Sequence, residues 1–141
     1  MLVSTKGRYA LRVIIDLAER EGEGYLPLRD IAHRLGISEK YLESVLKTLV
    51  RDRLIEGMRG KGGGYRLTRP AADYTAGEVL RATEGSLAPV AGLDNEEAFR
   101  IEEPRCHGMW EKLDALIEDY LDDVKITDLC VSTLAGNDYV I

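Results

Sequence analysis

The chain has 141 residues, 19 Lys+Arg against 25 Asp+Glu, 45% hydrophobic and 31% charged residues, and nine aromatic side chains. A chain this long suits one domain, or a small domain with an appendage, and buries roughly 68% of its unfolded surface without needing a disulfide or metal staple. The longest apolar runs, such as Val13-Ile14-Ile15, are three residues, far short of the ~20 that a membrane helix needs; with no apolar signal core at the start and only two cysteines, the expected compartment is the reducing cytoplasm.

The net charge of −6 conceals an asymmetry. Residues 1–70 hold 14 Lys+Arg and 9 Asp+Glu, net +5, whereas residues 71–141 hold 5 and 16, net −11. Phosphate neutralisation dominates affinity for nucleic acid. The first half is therefore the one able to meet a polyanion, while the acidic half faces elsewhere. Charge alone is equally compatible with two solvated faces of one domain.

Ala10, Val13, Ile14, Leu17 and Ala18 recur at helical spacing behind a cap at Ser4 or Thr5, which predicts a first helix ended by Gly22-Glu23-Gly24. Ile31, Ala32 and Leu35 follow Pro27 as a short second helix stopped by Gly36. Ser38 then caps a third helix that buries Leu42, Val45, Leu46 and Leu49 and turns Lys40, Glu43, Ser44, Lys47 and Arg51 outward. Two short helices joined by Gly36-Ile37-Ser38 are the pattern of a helix-turn-helix.

Strand-like pieces Leu54–Arg59 and Tyr65–Thr68 flank a loop with four glycines in five positions, Gly60–Gly64, and so predict a hairpin. A glycine-rich loop with a lysine also suits a phosphate cradle, but such cradles open a helix and this one runs into a strand. A wing lying beside a DNA groove, with Arg59 and Lys61 at its tip, accounts better for the residues than a bare solvent hairpin does.

Thr75-Ala76-Gly77-Glu78 matches a capping box and starts a fourth helix through Glu84, ended by Gly85. Residues 86–105 show no period and read as an acidic, partly mobile loop. A long helix is then expected from Met109 to Val124. Its Trp110, Leu113, Ile117, Tyr120 and Val124 step by 3, 4, 3 and 4, with Leu116 and Leu121 widening the stripe. A stripe of that length outside the helix-turn-helix unit points to a dimer interface, against the plainer alternative of packing on its own domain. A last short helix is expected at Thr127, carrying Cys130.

Taken together, Ser38-x-x-Tyr41-Leu42, Leu46-x-x-Leu49, Leu54-Ile55, Arg59-Gly60-x-x-Gly63-Gly64-Tyr65-x-Leu67 and Glu84-Gly85, with Lys6-Gly7-Arg8-Tyr9-Ala10 at the start, resemble the bacterial winged-helix regulators that include the iron–sulfur regulator IscR, the nitric-oxide-sensitive repressor NsrR and the cysteine-metabolism repressor CymR. The resemblance spans about residues 2–131. It implies a mainly α fold with a small β-hairpin: a winged helix-turn-helix DNA-binding domain over residues 1–70, and an effector loop and long dimerisation helix over residues 71–141. It also implies a homodimer on a palindromic operator in double-stranded DNA, in many members a repressor.

On that reading Ser38, Lys40, Tyr41, Glu43 and Ser44 lie on the part of the third helix that enters the major groove, with Lys47 and Arg51 nearer the phosphates. Glu43 stands out, because a carboxylate beside phosphates is costly unless it accepts from a cytosine N4 amine; its plainer role is an intrahelical pair with Lys40 or Lys47. Lys6 and Arg8 on the first helix and Arg29 on the second are phosphate contacts or solvated charge. Trp110, Leu113, Ile117, Tyr120, Leu121 and Val124 are the expected dimer contacts.

The sequence departs from the cluster-binding members of that family. Three cysteines are expected before the long helix, yet residues 86–105 contain none, and Pro104 stands where one would be. His107 keeps its place three residues before Trp110, and Cys106 stands alone. No cofactor is therefore expected, no iron–sulfur cluster and no metal, with Cys106 and His107 as residual ligand candidates. Cys106 is read as an inert exposed thiol, the alternative being a redox sensor beside Arg105 and His107; Cys130 is read as packing. The expected function is a DNA-binding regulator of the cluster-free, cysteine-metabolism kind, with a cysteine-biosynthesis enzyme as signal partner. The alternatives are a cluster- or redox-sensing member using Cys106 and His107, and a winged-helix module for protein contacts. No nucleophile with a matching base and acid points to an enzyme.

Overall fold

The computed structural model describes residues 2–131, so the last ten residues of the expected second region lie outside the described residues. Helix α1 (Thr5–Glu19) starts where Ser4 Oγ accepts from the Gly7 amide at 3.0 Å, the N-cap geometry that satisfies one of four unpaired helical amides. Its apolar face (Ala10, Val13, Ile14, Leu17, Ala18) is buried. Helix α2 (Leu28–Leu35) ends at Gly36, whose φ of 68° is left-handed and favours glycine. Ser38 Oγ accepts from the Tyr41 amide at 3.1 Å and opens α3 (Glu39–Arg51).

Strands β1 (Ile55–Met58) and β2 (Gly64–Leu67) pair antiparallel, with Ile55 opposite Leu67 and Met58 opposite Gly64. The segment before α2 adds a bridge, since Leu26 and Tyr65 exchange both backbone hydrogen bonds at 2.9 Å. Gly64 belongs there for a steric reason: a Cβ on it would run into the Leu26 carbonyl. The mainly helical fold with one small hairpin is the one expected.

After a 3-10 turn (Ala71–Asp73), Thr75 Oγ accepts from the Glu78 amide at 3.2 Å and caps α4 (Ala76–Glu84). One hydrophobic cluster takes in α1, α2, α3 and Leu54-Ile55 and continues through Ala71, Tyr74, Val79, Ala82, Ile126 and Cys130. The core is thus continuous across residue 70.

The second half differs from expectation in three places. Residues 86–105 are not wholly irregular: α5 (Glu96–Glu102) forms behind Asn95, whose side chain accepts from the Ala98 amide at 3.5 Å. Its single buried anchor, Phe99, gives too short a signal to register as a period. Helix α6 spans His107–Asp123, starting two residues before the predicted Met109. The short helix after it is of the 3-10 kind, Ile126–Leu129, starting one residue before the expected Thr127 and capped by Cys130. Arg81 of α4 grips α6 through two 2.8 Å hydrogen bonds to Asp122, which hold the Asp122 carboxyl below the usual carboxylate range. The chain beyond α6 is stitched back by Ala76 N–H to Val124 O at 2.9 Å and Ile126 N–H to Tyr74 O at 3.0 Å.

The hairpin root hangs on Tyr74, which is fully buried. Its hydroxyl donates to Leu54 O at 2.6 Å and accepts from the Thr68 amide at 3.0 Å. Tyr74→Phe removes two hydrogen bonds, one to the buried Leu54 carbonyl and one from the part-buried Thr68 amide, and should cost about 1–3 kcal/mol, read as a lower denaturation midpoint with an unchanged slope.

Candidate nucleic-acid interface

Helix α3 is amphipathic by construction. Leu42, Val45, Leu46 and Leu49 hold it on the core, so the 3.6-residue period turns Lys40, Glu43, Ser44 and Lys47 to solvent, where all four are exposed. Ser38 is exposed while capping the helix, and Tyr41 is half-buried, its ring turned back against Tyr9 of α1.

The hairpin stands opposite. Lys40, Glu43, Ser44, Lys47 and Val50 form one wall of an open groove of about 640 Å³, and Gly57, Met58, Arg59 and Tyr65 form the other, with Leu28 completing it. At the wing tip the Gly63 amide donates to Gly60 O at 3.0 Å, a turn that leaves Arg59 and Lys61 exposed. The sequence reading missed Val50, Met58, Tyr65 and Leu28. Helical spacing from Lys47 and cross-strand pairing would have flagged the first three; Leu28 had no such signal.

Charge pairing separates two sets of cations. Arg20 and Arg34 pair with Asp16, Arg66 with Glu56, Arg69 with Glu78, Arg81 with Asp122, and Arg100 with Glu96. Lys40, Lys47, Arg59 and Lys61 around the groove, and Lys6, Arg8 and Arg29 beyond it, pair with no described carboxylate. Glu43 pairs with neither Lys40 nor Lys47. The groove therefore presents unneutralised cations and one free carboxylate. Arg51 stands apart from the phosphate contacts expected of it: it donates to Ala82 O at 3.0 Å and pairs with Asp52 at 3.1 Å. It ties α3 to α4.

In the other half, no residue of α6 is fully buried. Met109, Leu113, Leu116 and Tyr120 are exposed, Tyr120 to 69%, while Trp110, Ile117, Leu121 and Val124 are half-buried. Spacings of 4, 3 and 4 put the four exposed residues on one face. Trp110 Nε1 donates to Glu103 at 3.2 Å.

The family model of Rrf2, described as an iron-dependent transcriptional regulator, matches residues 3–132. The chain belongs to the Rrf2 family. It is 36% identical over 133 residues to the HTH-type transcriptional regulator CymR of Bacillus subtilis (strain 168), covering 94% of this chain and 92% of that protein. The structure of CymR, the global cysteine regulator of B. subtilis, superposes with a TM-score of 0.76 at 34% identity, covering 94% of this chain and 98% of that one. IscR of T. potens superposes with a TM-score of 0.73 at 33% identity, covering 100% and 93%. This Rrf2 chain is thus a DNA-binding transcriptional regulator and not an enzyme.

An iron-dependent family raises the question of whether these residues fit an iron or iron–sulfur group, which is held mostly by thiolates. Within one chain they do not. Among the described residues no three His, Cys, Asp or Glu side chains gather as a metal site. Cys106 is exposed and Cys130 buried. Burial, with Glu19 and Glu21 nearby, pushes the Cys130 thiol up, and its Sγ lies 3.4 Å from Ile126 O. His107 Nε2 lies 4.0 Å from Glu111.

Glu43→Ala should relax preference at one base pair per half-site, losing about 1–3 kcal/mol of discrimination, with little change on random DNA. Lys61→Ala should weaken operator and random duplexes alike and lower the salt slope by roughly one unit. A salt titration of operator and scrambled duplexes reads both; an unchanged base preference in Glu43→Ala would remove the α3 assignment.

Proposed function

We propose that this Rrf2 protein is a homodimeric, sequence-specific repressor that binds palindromic operators in double-stranded DNA. Major-groove readout is assigned to Ser38, Lys40, Glu43 and Ser44; Tyr41, expected among them, turns its ring back onto Tyr9 of α1 instead. Backbone grip falls to Lys47, Arg59 and Lys61, with Lys6, Arg8 and Arg29 extending it. The observation that carries the reading is the set of unpaired cations around the groove between α3 and the wing, in a protein whose other arginines are largely neutralised by carboxylates. Phosphates supply the missing counter-charge.

Dimerisation is assigned to α6. The exposed Met109, Leu113, Leu116 and Tyr120 with half-buried Ile117 leave an apolar face that one chain does not cover, and pairing two copies through it presents two α3 helices to an inverted repeat. Selection from random duplexes should return such a repeat. Ile117→Glu with Tyr120→Glu should sediment as a monomer and bind the operator weakly; a wild-type protein sedimenting as a monomer at micromolar concentration would overturn the assignment.

Regulation is proposed to be cluster-free and to serve sulfur metabolism in the cytoplasm, with a cysteine-biosynthesis enzyme as the signal partner. The cysteine-free stretch 86–105 and the unassembled donor set support the first part, and the likeness to a cysteine regulator supports the second. Protein purified without oxygen should be colourless and bind DNA equally before and after chelation. Stoichiometric iron and sulfide, lost in Cys106→Ala, would refute the cluster-free reading.

A further inference from the structure

The first turn of α3 is braced from behind by a side chain of α1. The rings of Tyr9 and Tyr41 meet edge to face, with centroids 5.6 Å apart and planes at 81°. The Arg12 guanidinium lies 4.9 Å from the centre of the Tyr9 ring. Its Nη2 also donates to Leu35 O at 3.1 Å, at the last residue of α2, immediately before the Gly36 turn. One arginine–tyrosine unit on α1 thus reaches both sides of the helix-turn-helix corner: the carboxyl end of α2 through Arg12, and the amino end of α3 through Tyr9.

The kind of contact matters. Beneath α3, Leu42, Val45, Leu46 and Leu49 bury apolar surface, an attraction without direction that fixes which face of the helix is buried and leaves the finer aim of its exposed first turn to directional contacts. An edge-to-face aromatic pair has a preferred geometry, and a cation over the second ring adds attraction of its own. Tyr41 sits between Lys40 and Glu43 in sequence, and its carbonyl accepts from Ser44 Oγ at 2.7 Å. Turning Tyr41 therefore turns the residues assigned to base readout.

We infer that Tyr9, backed by Arg12, is a positioning residue for sequence discrimination: it sets the rotation of the first turn of α3, and through it the aim of Lys40 and Glu43 into the groove. Tyr9 acts through Tyr41 and needs no contact with a base. The inference rests on the DNA-binding reading above.

The test compares Tyr9→Leu, Tyr9→Phe and Arg12→Met with the wild type in full-length protein, measuring affinity for the selected operator and for scrambled duplexes across a salt series. Tyr9→Leu keeps apolar bulk without the ring and should lower the operator-to-scrambled ratio by roughly three- to tenfold, the equilibrium weight of one aromatic pair. Scrambled-duplex affinity and salt slope should stay at wild-type values, which a loss of folded protein would not leave untouched. Tyr9→Phe retains both ring contacts and should keep the ratio. Arg12→Met leaves both rings in place and, should Tyr9→Leu fail to fold, still reads the proposal, with an expected fall of about two- to fivefold. Equal losses on both duplexes, an unchanged ratio in Tyr9→Leu and Arg12→Met, or a Tyr9→Phe loss as large as that of Tyr9→Leu would overturn the inference. A wild-type protein with no preference among duplexes marks failure of the DNA-binding reading itself, before any variant is compared.

Discussion

The helix-turn-helix and α4 are packed around α1. Val13, Ile14 and Leu17 are all but inaccessible, and each contributes on the order of 1.5–3 kcal/mol by leaving water. Helices α2, α3 and α4, strand β2 and the final 3-10 turn all lie against this helix. Most of the ion pairs lie at the surface, where one such pair is worth about 0–1 kcal/mol. Apolar burial therefore decides the fold, and charge is left available for other work. The exception is Asp16, nearly buried on α1, which takes a bidentate pair of 2.8 Å hydrogen bonds from Arg34 of α2 and a third of 3.1 Å from Arg20. A buried carboxylate is tolerable only with such partners, so Asp16 fixes where α2 lies along α1.

With α1 at the centre, the two halves are mechanically joined. Glu84, at the end of α4, accepts from both the amide and the hydroxyl of Ser4 at 2.7 and 2.8 Å, and Ser4 caps α1. Gly7 is part of the same contact, since a Cβ there would press on the Glu84 carboxylate. Arg51 fastens α3 to α4, and Arg81 fastens α4 to α6. A chain of specific polar contacts thus runs from α3 to α6 across the boundary that charge had suggested. Charge asymmetry divides the surface here, not the core.

The same division explains why an acidic protein can be a DNA-binding regulator. Carboxylates in residues 71–131 lie largely on α5, α6 and the segments beside them, and the groove between α3 and the wing keeps its lysines and arginines unpaired. A local field, not a total such as −6, governs a protein's encounter with a polyanion.

The sequence by itself determined the elements whose cause is local. Ser4, Ser38 and Thr75 act as caps because their hydroxyls satisfy helical amides a few residues away. Gly36 and the glycine loop mark turns for steric reasons that one residue carries, and helical period separates the core face of α3 from its exposed face. Tertiary structure decided what depends on distant partners. Arg51 looked like its neighbours on α3 but meets a carbonyl 31 residues away. Helix α5 was hidden because one buried Phe99 makes no period. Tyr9 stood in a motif with no role attached, since nothing in its own surroundings in the chain announces a ring of α3 at 5.6 Å. Local caps and periods are written in consecutive residues; contacts between helices are set only when the core closes and brings their side chains together.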